Sequence, residues 1–515
     1  MSDTLVSTEG SQEREFMGQP IGLAICFLTE MWERFSYYGM RALLIFYLTE
    51  HFLYSAGEAG LIYGAYIGLA YLLPILGGLF ADRYLGSRKA VTYGALLLVA
   101  GHLSLAFEGP TAMIVDGAVV RSEGYVSIFY LSLALIITGV GFLKANISTI
   151  VGALYGPNDP RRDGGFTIFY MGINLGSVLA TIFVAGVGTK YGWNYGFGLA
   201  GVGMLLGLAV FLWGQKFLDG RAEPSNPDVL KERSPIGLNK EYSIYLFGLV
   251  LVGLMWLLMQ YQALVGQLLG ITGIGMIAVI VTYGFVKCEP YERNRLMVVS
   301  FLIMVQSIFW ALFEQQGASL SLLADQQFDL NVLGIEILPA QVQTLNPAFV
   351  FILAPIFAWM WVKLAHKGLE PSTPAKFGIA MILIGIGYVL FSFGMTLDDS
   401  TAKSFFWMIV IYFFLTTAEL CLSPVGLSMV TKLSVARIVG MVMGTWFLWT
   451  SLGNYAAGVI SSIAGGEHAS VEDGALLDVA ATIDVFNSVG YMSVGVGVVL
   501  LALTPIMKKY MHGVH

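Results

Sequence analysis

Two carboxylates and two guanidiniums lie in one otherwise apolar segment near the start of the chain, at Glu30, Glu33, Arg34 and Arg41. Charged side chains are costly in hydrocarbon, so they are rare there and usually functional. At 3.6 residues per turn, Glu30, Arg34 and Tyr38 share one face of a helix, which Arg41 continues and Glu33 adjoins. This charged stripe must face a protein interior or a water-filled cavity. The pattern is typical of a transport or conduction pathway.

Two further segments place polar groups inside apolar runs. Lys144 either faces a cavity or extends its amine along the helix to the membrane surface. Tyr170 and Asn174 are four residues apart, so their side chains lie on one helix face. That face either lines the same cavity or forms a hydrogen bond between two helices.

The elements that hold these groups are predicted to be membrane-spanning helices. Of the 515 residues, 57% are hydrophobic and 12% are charged, whereas soluble domains carry about 25% charged residues. Because about 20 apolar residues span a bilayer, the sequence predicts an all-α polytopic membrane protein with fourteen spans. Their predicted ranges are 20–50, 59–81, 89–107, 125–150, 164–188, 194–217, 243–263, 266–287, 297–322, 344–365, 376–396, 404–431, 438–464 and 484–508.

The loop charges give this map an orientation. With the N-terminus inside, 21 of the 27 Lys and Arg residues lie in inner loops and tails. Three lie in outer loops, and Arg34, Arg41 and Lys144 lie within spans. Since basic residues concentrate in cytoplasmic loops, both termini are predicted to be cytoplasmic.

The order of six spans, two spans and six spans predicts two pseudo-symmetric bundles. Transporters of this plan bind substrate near the membrane midplane, between the halves, and alternate access by rocking. The extra pair is predicted to lie at the periphery, facing lipid. The predicted divisions are a tail 1–19, a bundle 20–217, a linker with two extra helices 218–296, a second bundle 297–510 and a tail 511–515.

The residues also argue against other classes of function. The three cysteines have no metal-ligand spacing, and the composition shows no basic patch for nucleic acid. No HExxH, GxSxG or paired-aspartate arrangement is present, so we expect neither an enzyme nor a metal site.

The segment 77–89 follows the second predicted span and combines glycines with Asp82 and several basic residues. It resembles the loop motif of the major facilitator superfamily. We expect Asp82 to cap a helix N-terminus while pairing with its basic neighbours.

Three motifs together carry a more specific resemblance. They are Glu-x-x-Glu-Arg-Phe-x-Tyr-Tyr-Gly from Glu30, the segment around Lys144, and Phe-Tyr-x-x-Ile-Asn-x-Gly-Ser from Phe169. The chain resembles the proton-dependent oligopeptide transporters of the major facilitator superfamily, in the bacterial di- and tripeptide symporter type. The resemblance implies the major facilitator fold, with two extra helices between its bundles.

The resemblance also implies residue roles. Glu30, Glu33 and Arg34 match the proton-coupling residues, Arg34 and Lys144 match those that hold the peptide carboxylate, and Glu419 matches the residue that holds the peptide amine. Arg41 with Glu314, and Lys144 with Glu419, are implied gate salt bridges, of which one forms as the other breaks. The other implied substrate-binding residues are Tyr38, Tyr71, Tyr170, Asn174, Trp310, Ser423 and Trp446.

One position departs from the animal members of that family. They carry a histidine where this chain has Gly64. Proton coupling here is therefore expected to depend on the carboxylates.

The implied partners are di- and tripeptides, protons as the coupling ion, and membrane lipid, with no other cofactor. The resemblance implies a monomer in the bacterial inner membrane. An alternative is proton-coupled transport of nitrate or a carboxylate on the same scaffold. Glu419 argues against a bare anion, because a buried acid needs a cationic partner in the substrate.

Overall fold

The computed structural model describes residues 15–156, 159–224, 226–235, 237–398, 400, 402–465 and 477–513. Parts of the two predicted tails, residues 1–14 and 514–515, lie outside the described residues. Within the described ranges, fourteen long α-helices run through the chain, as the sequence predicts. They are α1 Ile21–Phe46, α2 Ala56–Phe80, α3 Gly86–Leu105, α4 Glu123–Ala153, α5 Arg162–Leu179, α6 Trp193–Gly214, α7 Lys240–Gln260, α8 Gln262–Lys287, α9 Pro290–Phe313, α10 Leu345–His366, α11 Thr373–Leu397, α12 Phe406–Leu433, α13 Val439–Ala464 and α14 Val479–Tyr510.

Length and composition alone identify eleven membrane-spanning stretches in the described chain. One of them, Ala56–Leu105, contains both α2 and α3, whereas α1 and α13 are not among the eleven. Helix α1 carries Glu30, Glu33, Arg34 and Arg41. Helix α1 is long enough to cross a membrane, but these charged residues make its composition too polar for it to be identified as a span by this criterion.

Several spans change their winding or break. Helix α1 continues as a π-turn over Tyr47–His51, α2 does so over Ala81–Leu85, and α5 continues through a π-turn Ala180–Val184 into Ala185–Tyr191. Helix α9 ends in a 3₁₀ turn, Glu314–Gly317, before the short helix Ser319–Gln327. Glu314, one of the predicted gate residues, thus lies at a helix break, where π and 3₁₀ turns often mark functional positions.

The connections are short helices and hairpins. The 3₁₀ helices are Gln215–Phe217, Pro227–Lys231, Pro339–Thr344 and Ala436–Ile438. Strands β1 Glu15–Phe16 and β2 Gln19–Pro20, β3 Met113–Val115 and β4 Ala118–Val120, and β5 Asn331–Val332 and β6 Ile335–Glu336 form three antiparallel pairs. We call the side on which α1 begins and α14 ends the terminal side, and the opposite side the far side.

Each set of six helices packs internally. In the first set, α3 packs on α4 and α6, α1 packs on α5 and α6, and α2 packs on α4. In the second set, α11 packs on α12 and α14, and α9 packs on α13. The two sets meet chiefly along α2 and α13.

Small residues let α2 and α13 approach closely. Gly60 faces Ser461, and Gly64 faces Gly458. A Cβ added to Gly64 would lie 2.7 Å from the Gly458 Cα, inside the normal contact distance. Small residues at helix contacts in membranes allow this approach of backbones. The far-side halves of the two helices therefore hold the two sets together.

The extra helices are peripheral, and each packs on a different set of six. Helix α7 packs on the first set, where the Tyr93 hydroxyl donates to the Tyr245 carbonyl oxygen at 2.8 Å. Helix α8 packs on the second set, where the Trp449 Nε1 donates to the Gly273 carbonyl oxygen at 3.2 Å. The remaining faces of both helices are largely exposed, as expected for helices that contact lipid.

The predicted role of Asp82 in the loop after α2 is wrong. Helix α3 begins after Leu85 without a side-chain cap. The neighbouring basic residues pair instead with the linker, Arg88 with Glu223 and Lys89 with Glu241. The 77–89 segment is thus fixed by residues more than a hundred positions away, which the local motif does not reveal.

The close contact between α2 and α4 gives a stability prediction. A Cβ on Gly77 would lie 2.0 Å from the Gly141 carbonyl oxygen, whereas one on Gly78 would meet only the Ala145 Cβ at 3.8 Å. Overpacking costs about 1–3 kcal/mol. Gly77→Ala should therefore lower the thermal unfolding temperature in detergent, and the neighbouring Gly78→Ala should not. Equal unfolding temperatures for the two variants would contradict this packing.

Candidate functional site

A cavity of about 320 Å³ lies between the two sets of six helices. Its volume falls at the small end of the range for ligand pockets. The cavity brings together twelve of the fourteen predicted site residues, from six long helices and the 3₁₀ turn after α9. They are Glu30, Arg34, Tyr38, Arg41, Tyr71, Lys144, Tyr170, Asn174, Trp310, Glu314, Glu419 and Ser423.

Arg34 is held by the two glutamates of its own helix. Its Nε lies 3.1 Å from the Glu30 Oε1 and also contacts the Glu33 Oε2. The exposed fractions of Glu30, Glu33 and Arg34 are 3%, 0% and 3%. At such burial the carboxylates and the guanidinium depend on one another, because an unpaired buried charge is strongly destabilising.

The cluster retains unused hydrogen-bonding capacity. Arg34 Nη2 and Glu30 Oε2 have no hydrogen-bond partner in the described part of the chain. A guanidinium offers five donors in a planar fork that matches a carboxylate. Arg34 therefore retains an unused donor of the kind that binds a carboxylate. Glu33 does not line the cavity but contacts Arg34, which does.

A second buried ion pair connects the two sets of helices on the far side. Arg41 Nη2 lies 2.6 Å from the Glu314 Oε2, and Arg41 Nε donates to the Tyr63 hydroxyl at 2.6 Å. Thr344 of the second set also donates to Thr181 of the first at 2.7 Å. These contacts close the far side of the cavity.

The sequence analysis missed Tyr63. It lies in α2, eight residues before Tyr71, which places both side chains near one helix face. That spacing is a signal that could have identified it as a partner of Arg41.

Lys144 and Glu419 make no ion pair with each other in the described residues. The Lys144 Nζ lies 3.7 Å from the centroid of the Tyr71 ring. The Glu419 Oε2 accepts a hydrogen bond from the Asn346 Nδ2 at 3.1 Å, and Asn346 also donates to Thr416 at 3.0 Å. The cation and the anion thus stand in the same cavity, each held by a neutral neighbour.

Asn346 is a second residue that the sequence analysis missed. It lies at the start of α10 and lines the cavity beside Glu419. An amide in a long apolar helix is a weak signal on its own, since the sequence does not show which helix it faces.

The remaining cavity wall is aromatic and polar. Tyr170 and Asn174 both line the cavity, so their shared helix face is the cavity face. The Asn174 Nδ2 donates to the Tyr170 carbonyl oxygen of the same helix at 3.0 Å. The indole nitrogen of Trp310 and the hydroxyl of Ser423 are buried with no hydrogen-bond partner in the described chain. Buried polar groups are normally hydrogen-bonded, so both are available to a ligand or water.

Trp446 was expected among the substrate-binding residues, but it does not line this cavity. The ring is 5% exposed and stands edge-on to Phe377, with 6.4 Å between ring centroids. A Cβ on Gly426 would lie 2.4 Å from the Trp446 ring. The missing side chain at Gly426 therefore leaves room for the indole between α12 and α13, away from the cavity.

The packing of α2 on α13 explains why position 64 of this chain is a glycine and not a histidine. A side chain there would meet the backbone of Gly458 at 2.7–2.9 Å. The contact between α2 and α13 thus leaves no room for a histidine in this arrangement.

The fold and site define a polytopic membrane transporter, with a charged central cavity between two six-helix bundles. Residues 88–471 match the model of the POT family. The chain therefore belongs to the POT family, a family of transporters and not of enzymes, as the sequence resemblance indicated.

Individual relatives agree with this assignment. The chain is 34% identical to the peptide transporter YePEPT of Yersinia enterocolitica, covering 98% of this chain and 97% of the relative. It is also 34% identical to a di-/tripeptide transporter of Lactococcus lactis, covering 96% and 97%. The crystal structure of peptide transporter POT with sulfate has a TM-score of 0.81 at 36% identity, covering 97% of this chain and 98% of the other. A POT family transporter with 5-aminolevulinic acid has a TM-score of 0.80 at 28% identity, covering 96% and 98%.

The far-side ion pair gives a second prediction. Glu314→Gln leaves the buried Arg41 guanidinium without its carboxylate, which costs about 3–5 kcal/mol when one partner of a buried pair is removed. We expect a clear fall in thermal unfolding temperature in detergent. Asp228→Asn breaks a pair whose side chains are 77% and 84% exposed and should change little. A Glu314→Gln variant as stable as Asp228→Asn would contradict the role of this pair.

Proposed function

We propose that the protein is a proton-coupled symporter that imports di- and tripeptides by alternating access. The observation that carries this proposal is one cavity with cations from the first six helices and an anion from the second six. Arg34 and Lys144 supply the cations, and Glu419 supplies the anion. The transporters of peptides among its relatives support the same substrate class.

A short peptide fits this charge arrangement because it is a zwitterion. Its carboxylate binds Arg34, whose Nη2 is available, and Lys144. Its ammonium group binds Glu419, which Asn346 orients. Tyr38, Tyr71, Tyr170 and Trp310 provide aromatic surface for side chains of different sizes. Because the two ends bind different bundles, the peptide draws the bundles together.

Coupling to protons follows from the position of Arg34. Its guanidinium stabilises the ionised forms of Glu30 and Glu33. When a peptide carboxylate engages Arg34, that stabilisation weakens and a proton binds more readily. Conversely, a protonated glutamate releases Arg34 for the peptide. This reciprocity is thermodynamic linkage between the two ligands.

The two candidate gates support alternating access. The Arg41–Glu314 pair closes the far side, while Lys144 and Glu419 are not paired. In our proposal this state releases substrate on the terminal side. The loop charges support a cytoplasmic location for that side, and we infer that the membrane is a bacterial inner membrane. The opposite state has the Lys144–Glu419 pair formed and the Arg41–Glu314 pair broken.

Nitrate or another bare anion is a poorer candidate substrate. It would engage Arg34 and leave the half-buried Glu419 facing the cavity without a cation. A peptide satisfies both ends.

Uptake of radiolabelled dialanine into proteoliposomes tests the proposed function. With an acidic exterior and a verified proton gradient, we expect accumulation that an uncoupler abolishes and that excess nitrate does not reduce. Absence of uptake under that gradient would contradict peptide symport, and competition by nitrate would favour the anion alternative.

Glu33→Gln separates coupling from binding. Removing this carboxylate should abolish gradient-driven accumulation of dialanine while leaving exchange of internal for external peptide, because Arg34 remains. Glu336→Gln, an exposed carboxylate on β6, should leave both activities intact. Gradient-driven accumulation at the wild-type level in Glu33→Gln would refute the coupling role.

Glu419→Gln tests recognition of the peptide amine. Wild type should bind dialanine well and N-acetyldialanine poorly, because the acetyl group removes the cation. Loss of one partner of a buried charge pair costs about 2–5 kcal/mol, so Glu419→Gln should bind dialanine far more weakly and lose this discrimination. Retained discrimination in titrations of the detergent-solubilised variant would place the amine elsewhere.

A further inference from the structure

A second cavity, of about 510 Å³, lies on the terminal side of the second bundle. The ends of α10, α12 and α14 and the start of α11 surround it. It shares no lining residue with the central cavity. Peptide transport as proposed above leaves this cavity without a role.

The lining is basic in a chain whose net charge is −7. Three lysines, Lys376, Lys432 and Lys508, line the cavity together with one carboxylate, that of Glu370. Lys376 is 7% exposed, and its Nζ lies 2.5 Å from the Glu370 Oε1. That carboxylate therefore compensates Lys376. Lys508 makes no ion pair with any residue that the structure describes, so the cavity keeps a positive charge.

The start of α11 adds donors to the same cavity. Ser372 is the N-cap residue, and its side chain makes no capping hydrogen bond. Its Oγ is buried with no hydrogen-bond partner in the described chain. The first backbone N–H groups of a helix and the positive end of its dipole favour an anion. Ser372, Thr373 and Lys508 all line this cavity, so the positive end of the α11 dipole and a lysine adjoin one space, although Pro374 in the first turn has no N–H to donate.

The lining also contains apolar side chains. Val425 and Met429 of α12 and Met511 after α14 supply them, next to Ser428 and Lys432 of α12. The cavity lies where four membrane-spanning helices reach the terminal side, with the Trp361 ring 4.6 Å from the Lys376 Nζ. Tryptophan and lysine are typical of the membrane–water interface. A ligand that fits has an anionic head and an apolar body.

We propose that this cavity binds the phosphate group of an anionic membrane phospholipid. The phosphate lies between Lys508 and the start of α11, and the glycerol and first acyl carbons lie against Val425 and Met429. Basic pockets between helices on the cytoplasmic side of membrane proteins are typical of such binding. The proposal concerns binding alone and does not depend on peptide transport.

Native mass spectrometry of the detergent-solubilised full chain tests this site. The probes are phosphatidylglycerol, phosphatidylcholine and inorganic phosphate. Wild type should bind phosphatidylglycerol more tightly than phosphatidylcholine. Lys508→Gln should weaken phosphatidylglycerol binding about fivefold, the effect of one lysine near a lipid headgroup. Lys508→Arg should preserve it.

Lys509→Gln is the matched control, because Lys509 is the next residue on α14, is exposed, and does not line the cavity. It should leave binding unchanged. Equal losses in the two glutamine variants would show diffuse surface attraction and overturn the site. Equal binding of the two lipids would also overturn it. Inorganic phosphate that binds in a Lys508-dependent way, without phosphatidylglycerol binding, would assign the cavity to a soluble phosphate and refute the lipid.

Discussion

The contact of the Arg34 guanidinium with Glu30 and Glu33 is the interaction on which the rest of the site depends. All three groups are almost fully buried, so none can remain charged there without the others or a substitute. In the proposed mechanism, a substrate carboxylate replaces a glutamate as the partner of Arg34, and a proton neutralises the glutamate that Arg34 releases. This exchange of partners at one cation is how proton binding and peptide binding would be coupled.

The fold places this cluster at the cavity between the two bundles. Helix α1 carries Arg34 toward the cavity and, two turns later, Arg41 toward Glu314 at the break in α9. Small residues along α2 and α13 keep the far side closely packed, while Lys144 and Glu419 remain apart. In the proposed mechanism, a zwitterion that binds both bundles changes the distance between them, which the proposed gate pairs Arg41–Glu314 and Lys144–Glu419 also set.

Much of this arrangement follows from the sequence, because burial of charge in an apolar helix is rare and helical spacing is regular. The charged stripe on α1, the fourteen spans, and the shared face of Tyr170 and Asn174 are examples. Contacts between distant segments are not encoded locally. The link of Lys89 to Glu241, the place of Trp446 over Gly426, and the hydrogen bond from Asn346 to Glu419 required the tertiary structure. Composition alone does not identify α1 as a membrane span, because its charges pair with one another, with Tyr63 of α2 and with Glu314 at the break after α9.

The most direct test of the coupling is the number of protons exchanged when peptide binds. Detergent-solubilised protein in a weakly buffered solution would be mixed with dialanine, and the change in pH recorded from neutral to mildly acidic conditions. The account predicts net proton uptake on binding, which disappears when Glu30 and Glu33 are both replaced by Gln. Peptide binding without proton uptake across that range would contradict the sharing of Arg34 between the glutamates and the substrate.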